Sequence, residues 1–133
     1  MRFPPPEIVR DETPPDDLLL VVRGGRDSLT DAILQRAMHN SWTVHGFFGI
    51  SVFGAPGDDL EALSREEPAI RKRRFVALVR CGDLRRRGFE VVPTFRDPRH
   101  FSVVLADATA DQLDLLRSCF GEAIANPGYF PDR

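Results

Sequence analysis

A chain of 133 residues, 42% of them hydrophobic and 29% charged with a net charge of −2, is long enough to bury one core and too short for two ordinary domains. That balance excludes a disordered chain, and no apolar run approaches the roughly 20 residues of a spanning helix, so no membrane partner is expected. Cys81 and Cys119 lie far apart without Cys-x-x-Cys spacing, which argues against a zinc site or a disulfide framework; with no secretory signal in Met1-Arg-Phe-Pro-Pro-Pro, a reduced, cytoplasmic setting is the simplest expectation.

Residues 1–16 hold five prolines and several acids and read as an extended arm; residues 17–126 read as a single domain and 127–133 as a C-terminal tail. Leu18-Leu-Leu-Val-Val22, stopped by Arg23-Gly24-Gly25, predicts a central strand buried on both faces. Ser28 with Asp31 resembles a capping box, and Leu29, Ile33, Leu34, Ala37, Met38 and Trp42 recur at helical spacing, predicting a helix over about 29–43. Phe47-Phe-Gly-Ile-Ser-Val-Phe53 predicts a second strand, ended by Ala55-Pro-Gly57. Asp58 or Asp59 can cap a short helix through Leu60 to Ser64, limited by Pro68.

Phe75-Val-Ala-Leu-Val79 reads as a third strand, and Asp83-Leu-Arg-Arg-Arg87 as one or two helical turns closed by Gly88. Two further strands fall in 89–105, and Thr109 with Gln112 caps a last helix carrying Leu113, Leu116 and Phe120. The order predicts an α+β domain with a mixed, mostly antiparallel five-stranded sheet and about three helices.

Chemistry concentrates in 89–105, where a turn rich in Arg96, Pro98, Arg99 and His100 joins two β-type runs that also carry Glu90, Thr94 and Ser102. Three further positions stand where a polar residue ends or interrupts an apolar strand: Arg23, Ser51 and Glu90. Their order along the chain resembles the Arg-Ser-Glu form of the ADP-ribosyltransferase fold. The resemblance implies an NAD-using toxin or effector in which Arg23, with Gly24 beside it, holds the phosphate or ribose of NAD, Ser51 supports the nicotinamide pocket, and Glu90 steadies an oxocarbenium-like transition state. A buried or positioned carboxylate stabilises developing positive charge, and an arginine fork grips phosphate. The serine stands in Gly-Ile-Ser-Val instead of the family's Ser-Thr-Ser, and Gly88 stands where a second acid or Gln precedes the glutamate. Arg23-Gly-Gly, Gly49-Ile-Ser-Val-Phe and Pro93-Thr-Phe with Pro98-Arg-His100 together also resemble a small bacterial family.

Two other readings stay open. His100 between arginines could act as general acid or base in a metal-independent ribonuclease, with Arg96 and Arg99 on the phosphate. Alternatively, Arg71, Arg73, Arg74, Arg96 and Arg99 could form a contact surface for nucleic acid or for a protein partner such as a cognate antitoxin, in a module without catalysis. Basic character is almost wholly arginine, 17 Arg against Lys72 alone, which favours bidentate recognition of phosphate or carboxylate. The acids are dispersed and no metal is expected.

Overall fold

A computed structural model describes residues 13–23, 31–45, 48–94, 97–106 and 109–130. Six strands, β1 (Leu19–Arg23), β2 (Phe48–Ala55), β3 (Phe75–Arg80), β4 (Glu90–Pro93), β5 (His100–Leu105) and β6 (Ile124–Ala125), form one open sheet in the order β4-β5-β2-β1-β3-β6. Five helices join them: α1 (Asp31–His45), α2 (Leu60–Glu66), α3 (Pro68–Arg71), α4 (Cys81–Arg86) and α5 (Ala110–Cys119). The expected α+β class holds, but the sheet has six strands instead of five and every pairing is antiparallel instead of mixed. The expected parallel component came from the helix between the first two strands, since crossovers usually join parallel neighbours; α1 instead returns the chain to an antiparallel place beside β1. The sixth strand, β6, has two residues, both exposed, and so lacks any apolar period to read.

Strand parity divides the core. On one face Leu20, Val22, Ile50, Val52, Ala77, Val79, Phe101 and Val103 pack with Met38 of α1, Leu84 of α4 and Leu113 and Leu116 of α5. On the other, Leu19, Val21, Phe53, Ala55 and Val76 meet Leu63 of α2 and Ile70 of α3. Burial on both faces is why β1 is a continuous apolar run. Each fully buried Leu or Val contributes roughly 1.5–3 kcal/mol relative to exposure.

Helix ends follow local chemistry where caps exist. Thr109 accepts from the Gln112 amide at 3.3 Å and Asp59 from Ala62 at 3.0 Å, each satisfying an orphan N–H. The helix expected at 83–87 begins two residues earlier, because the carbonyls of Leu18 and Asp16 accept from the Cys81 and Gly82 amides at 3.0 and 2.9 Å. A tertiary contact thus supplies what no cap residue signals. Gly88 closes α4 at φ 90°, a conformation that side chains with a Cβ resist. Pro68 ends α2 as expected and also opens α3, a place where its missing N–H costs nothing. Among the described residues no helix is long and apolar enough to cross a membrane.

The C-terminal segment is tied down by one side chain. Asn126, buried, donates from Nδ2 to the carbonyls of Ile70 and Arg73 at 3.1 Å each, and its Oδ1 accepts from Ser64 Oγ at 3.2 Å and from the Gly128 amide at 3.0 Å. Only glycine fits at 128, since a Cβ there would lie 2.4 Å from that of Ser64.

Candidate functional site

The α2–α3 layer covers only part of its face of the sheet. Beneath it lie Leu19, Val21, Phe53 and Ala55; beyond it β2 carries Ser51, exposed in the middle of an otherwise largely buried strand. The backbone marks the same boundary. The β1–β2 ladder runs from Leu19↔Ala55 to Val21↔Phe53 and, among the described residues, goes no further. Yet β1 keeps pairing with β3 as far as Arg23↔Val76, and β2 keeps pairing with β5 as far as Phe48↔Leu105. Position 23 of β1 and Ser51 of β2 lie just past the last of these β1–β2 pairs. Both lie two residues beyond the last paired residues, Val21 and Phe53, and so share their strand parity.

Glu90 lies on the same face of the sheet as Ser51. It pairs with Val104, which pairs with Gly49, two residues from Ser51; two inter-strand spacings and one step of two residues put the Cα atoms of Glu90 and Ser51 ~12 Å apart. The Glu90 side chain is exposed, and Val92 and Val104 between it and Ser51 are half-buried. Glu90 also lines a groove of about 480 Å³ along β4 with Thr13, Arg85 and 88–93. That groove is a poor place for an added strand: Pro93 has no N–H, and the Phe89 amide already donates to the Leu84 carbonyl at 3.0 Å.

His100 shares this face: its partner Phe53 is two residues from Ser51, so one inter-strand spacing and one step of two residues put the Cα atoms of His100 and Ser51 ~8 Å apart. Its backbone pairs with Phe53 and its ring packs edge-on against the Phe53 ring, centroids 5.1 Å apart. Nδ1 is 2.6 Å from Thr94 Oγ1, which is 3.0 Å from Ser102 Oγ, and the residue is 7% exposed. These groups form a buried polar chain whose members satisfy one another. The adjoining turn is fixed by Asp97, whose carbonyl accepts from the His100 amide at 3.0 Å and whose Oδ1 accepts from the Arg99 amide at 2.9 Å. The Arg99 side chain is paired with Glu66 of α2. Next to Glu66, burial first and then hydrogen bonding and charge repulsion from Asp97 push the Glu67 carboxyl up to about 7; two carboxyls in hydrogen-bond contact share a proton.

The structure thus places Ser51, Glu90 and His100 on one face of the sheet, with the backbone of Arg23 on the strand beside Ser51; what distinguishes His100 is its burial and its contact with Thr94. The side chain of Arg23 and the whole of Gly24, Arg96 and the Ser28 cap lie outside the described residues. Arg71 ends α3 and Arg73 and Arg74 lie between it and β3, while Arg99 pairs with Glu66 of α2. Sequence reasoning missed Asn126 and Glu67: each is a lone polar residue in an irregular segment, and its role comes from partners such as Ser64, 62 positions distant from Asn126. Both cysteine thiols are pushed up, chiefly by burial, which keeps them protonated and weakly nucleophilic. Among the described residues no three His, Cys, Asp or Glu converge as metal ligands.

The architecture defines an α+β domain with one open antiparallel sheet of six strands among the described residues. Comparison with family models, with curated proteins and with solved structures finds no match.

Proposed function

We propose that the sheet face around Ser51 is an NAD site and that the protein is an ADP-ribosyltransferase-like enzyme of toxin or effector type. The single observation that carries this reading is the exposure of Ser51 within a core strand, with Arg23 at the end of the neighbouring strand β1. The residues present suit the group. Half-buried Val92 and Val104 offer an apolar floor for a ring, the Ser51 hydroxyl can bond an amide, and Glu90 supplies an exposed carboxylate on the same face.

In this reading Arg23 grips the pyrophosphate or the adjoining ribose, and Ser51 orients the nicotinamide. Glu90 faces the positive charge that builds on the ribosyl ring as the bond to nicotinamide breaks. Nicotinamide leaves with the bonding electrons, and the ribosyl carbon passes to a nucleophile on the acceptor.

Nicotinamide release from NAD by the purified protein tests the reading. Release should fall at least about a hundredfold in Glu90→Gln, a loss of roughly 2.7 kcal/mol of transition-state stabilisation, with the melting temperature unchanged. Release that survives both Glu90→Gln and Ser51→Ala sinks it. The ribonuclease reading has less support, because the His100 ring is buried and held by Thr94; RNA cleavage in chelator that disappears in His100→Ala would restore it.

A further inference from the structure

Ser51 stands at the exposed end of a row of hydroxyl groups that runs inward along one face of the sheet. It pairs with Ser102 across the β2–β5 ladder, and the phase of that ladder is fixed where the Gly54 amide donates to the Arg99 carbonyl at 2.8 Å. Bonded and non-bonded pairs alternate along an antiparallel ladder, so Ser51 and Ser102, three positions from Gly54 and Arg99, form a non-hydrogen-bonded pair. Side chains stand closest in such pairs, with Cβ atoms ~4.5–5.5 Å apart, and a turn about the Ser51 Cα–Cβ bond brings one hydroxyl onto the other.

From Ser102 the row continues under cover. Its Oγ is 3.0 Å from Thr94 Oγ1, and Thr94 Oγ1 is 2.6 Å from His100 Nδ1. The backbone holds the last two together, since the Thr94 amide donates to the His100 carbonyl at 3.2 Å. Ser102, Thr94 and His100 are buried, whereas Ser51 faces solvent. The Phe53 ring braces the His100 ring, and Asp97 fixes the turn that leads to it.

Apolar side chains would fill the same space, and burying polar groups is costly unless each is bonded. A hydroxyl has one proton to give and two lone pairs to fill. Thr94 meets both His100 and Ser102; Ser102 meets Thr94 on one side and stands across the ladder from Ser51 on the other. We propose that Ser102, Thr94 and His100 are positioning residues: a hydrogen-bonded chain anchored on the His100 ring holds the Ser51 hydroxyl in one rotamer for the ligand of this face.

Buried as they are, the three act on that ligand only through Ser51. An exposed serine left to itself spreads over three staggered wells, so holding it in one raises the productive fraction by up to about threefold. Each bond in such a chain also polarises the next. The ligand is the nicotinamide of the NAD reading, and the proposal rests on that reading for the ligand alone.

NMR of the full chain tests the positioning without turnover. Three-bond couplings across χ1 of Ser51 should report one rotamer in the wild type and an average over the staggered wells in Ser102→Ala, Thr94→Val and His100→Ala. Thr94→Ser, which keeps the hydroxyl, should keep the rotamer. Should Thr94→Val or His100→Ala fail to fold, Ser102→Ala, which removes a single oxygen, decides. A Ser51 side chain already averaged in the wild type, or still fixed in Ser102→Ala, overturns the proposal.

Kinetics of nicotinamide release give the second readout. Ser102→Ala should lower kcat about threefold with KM held within about twofold, and should have no effect in a Ser51→Ala background. An equal loss in both backgrounds would mean that Ser102 acts on the fold and not through Ser51, which also overturns the proposal. No release by the wild type sinks the NAD reading alone, and the couplings still decide this one.

Discussion

Two sets of polar residues on the sheet are used in opposite ways. His100, Thr94 and Ser102 are buried and bonded to each other, and Arg80 forms a two-pronged ion pair with Asp58 at 2.6 and 2.7 Å. Ser51, directly opposite Ser102, and Glu90, opposite Val104, face solvent. A polar group that the fold already satisfies is committed to structure; one that the fold exposes on a rigid strand is available to a ligand. The concentration of His, Arg and hydroxyl groups in 89–105 is therefore mostly architecture, and the exposed pair Ser51 and Glu90 is the better place for chemistry.

Substitutions can break or sharpen this contrast. The largest effect should come from Phe53→Ala, which removes a buried ring touching both the α2–α3 core and His100; chemical denaturation should report a loss of about 4 kcal/mol. Asn126→Ala should cost about 3 kcal/mol, because it leaves Ser64, the Gly128 amide and two carbonyls short of partners in a buried setting; hydrogen exchange at 124–130 should rise with it. His100→Ala should cost about 2 kcal/mol, from lost packing on Phe53 and a Thr94 hydroxyl deprived of one partner. Ser51→Ala should change stability by less than about 0.5 kcal/mol, as an exposed site does. A cost near that of His100→Ala would erase the distinction between the buried and the exposed polar residues.

The smallest expected effect is one of pH. Burial and the neighbouring Asp97 push the Glu67 carboxyl from its ordinary 4.5 up to about 7, so the folded state holds its proton more tightly than the unfolded chain. The associated stability is fully present below about 4.5 and is lost as the pH rises through about 7. Thermal melts across that window should show a decline that Glu67→Gln flattens; an unaltered decline in the variant would show that Glu67 and Asp97 do not share a proton.

Much of the fold is legible in the residues. The continuous apolar runs of β1 and β3, the helical spacing around Met38, the Thr109 cap and the Gly88 stop are local patterns, and local sterics and burial enforce them. The start of α4 was illegible because its N–H groups are satisfied by Asp16 and Leu18 from another segment, and β6 because two exposed residues carry no period. Arg23, Ser51 and Glu90 stand out as polar breaks in apolar strands, and that alone singles them out. Their arrangement is another matter.

The sequence by itself determined which segments are strands and helices and which positions interrupt them, since those depend on side-chain period, caps and turns within a few residues. Only the tertiary structure decided the strand order, the exposure of Ser51 within β2, the burial of His100 and the seating of 124–130 against the basic stretch. Each of these depends on pairings between residues tens of positions apart, such as Ser64 with Asn126 or Arg23 with Val76, whose energies reside in contact and burial and leave no mark in the local pattern.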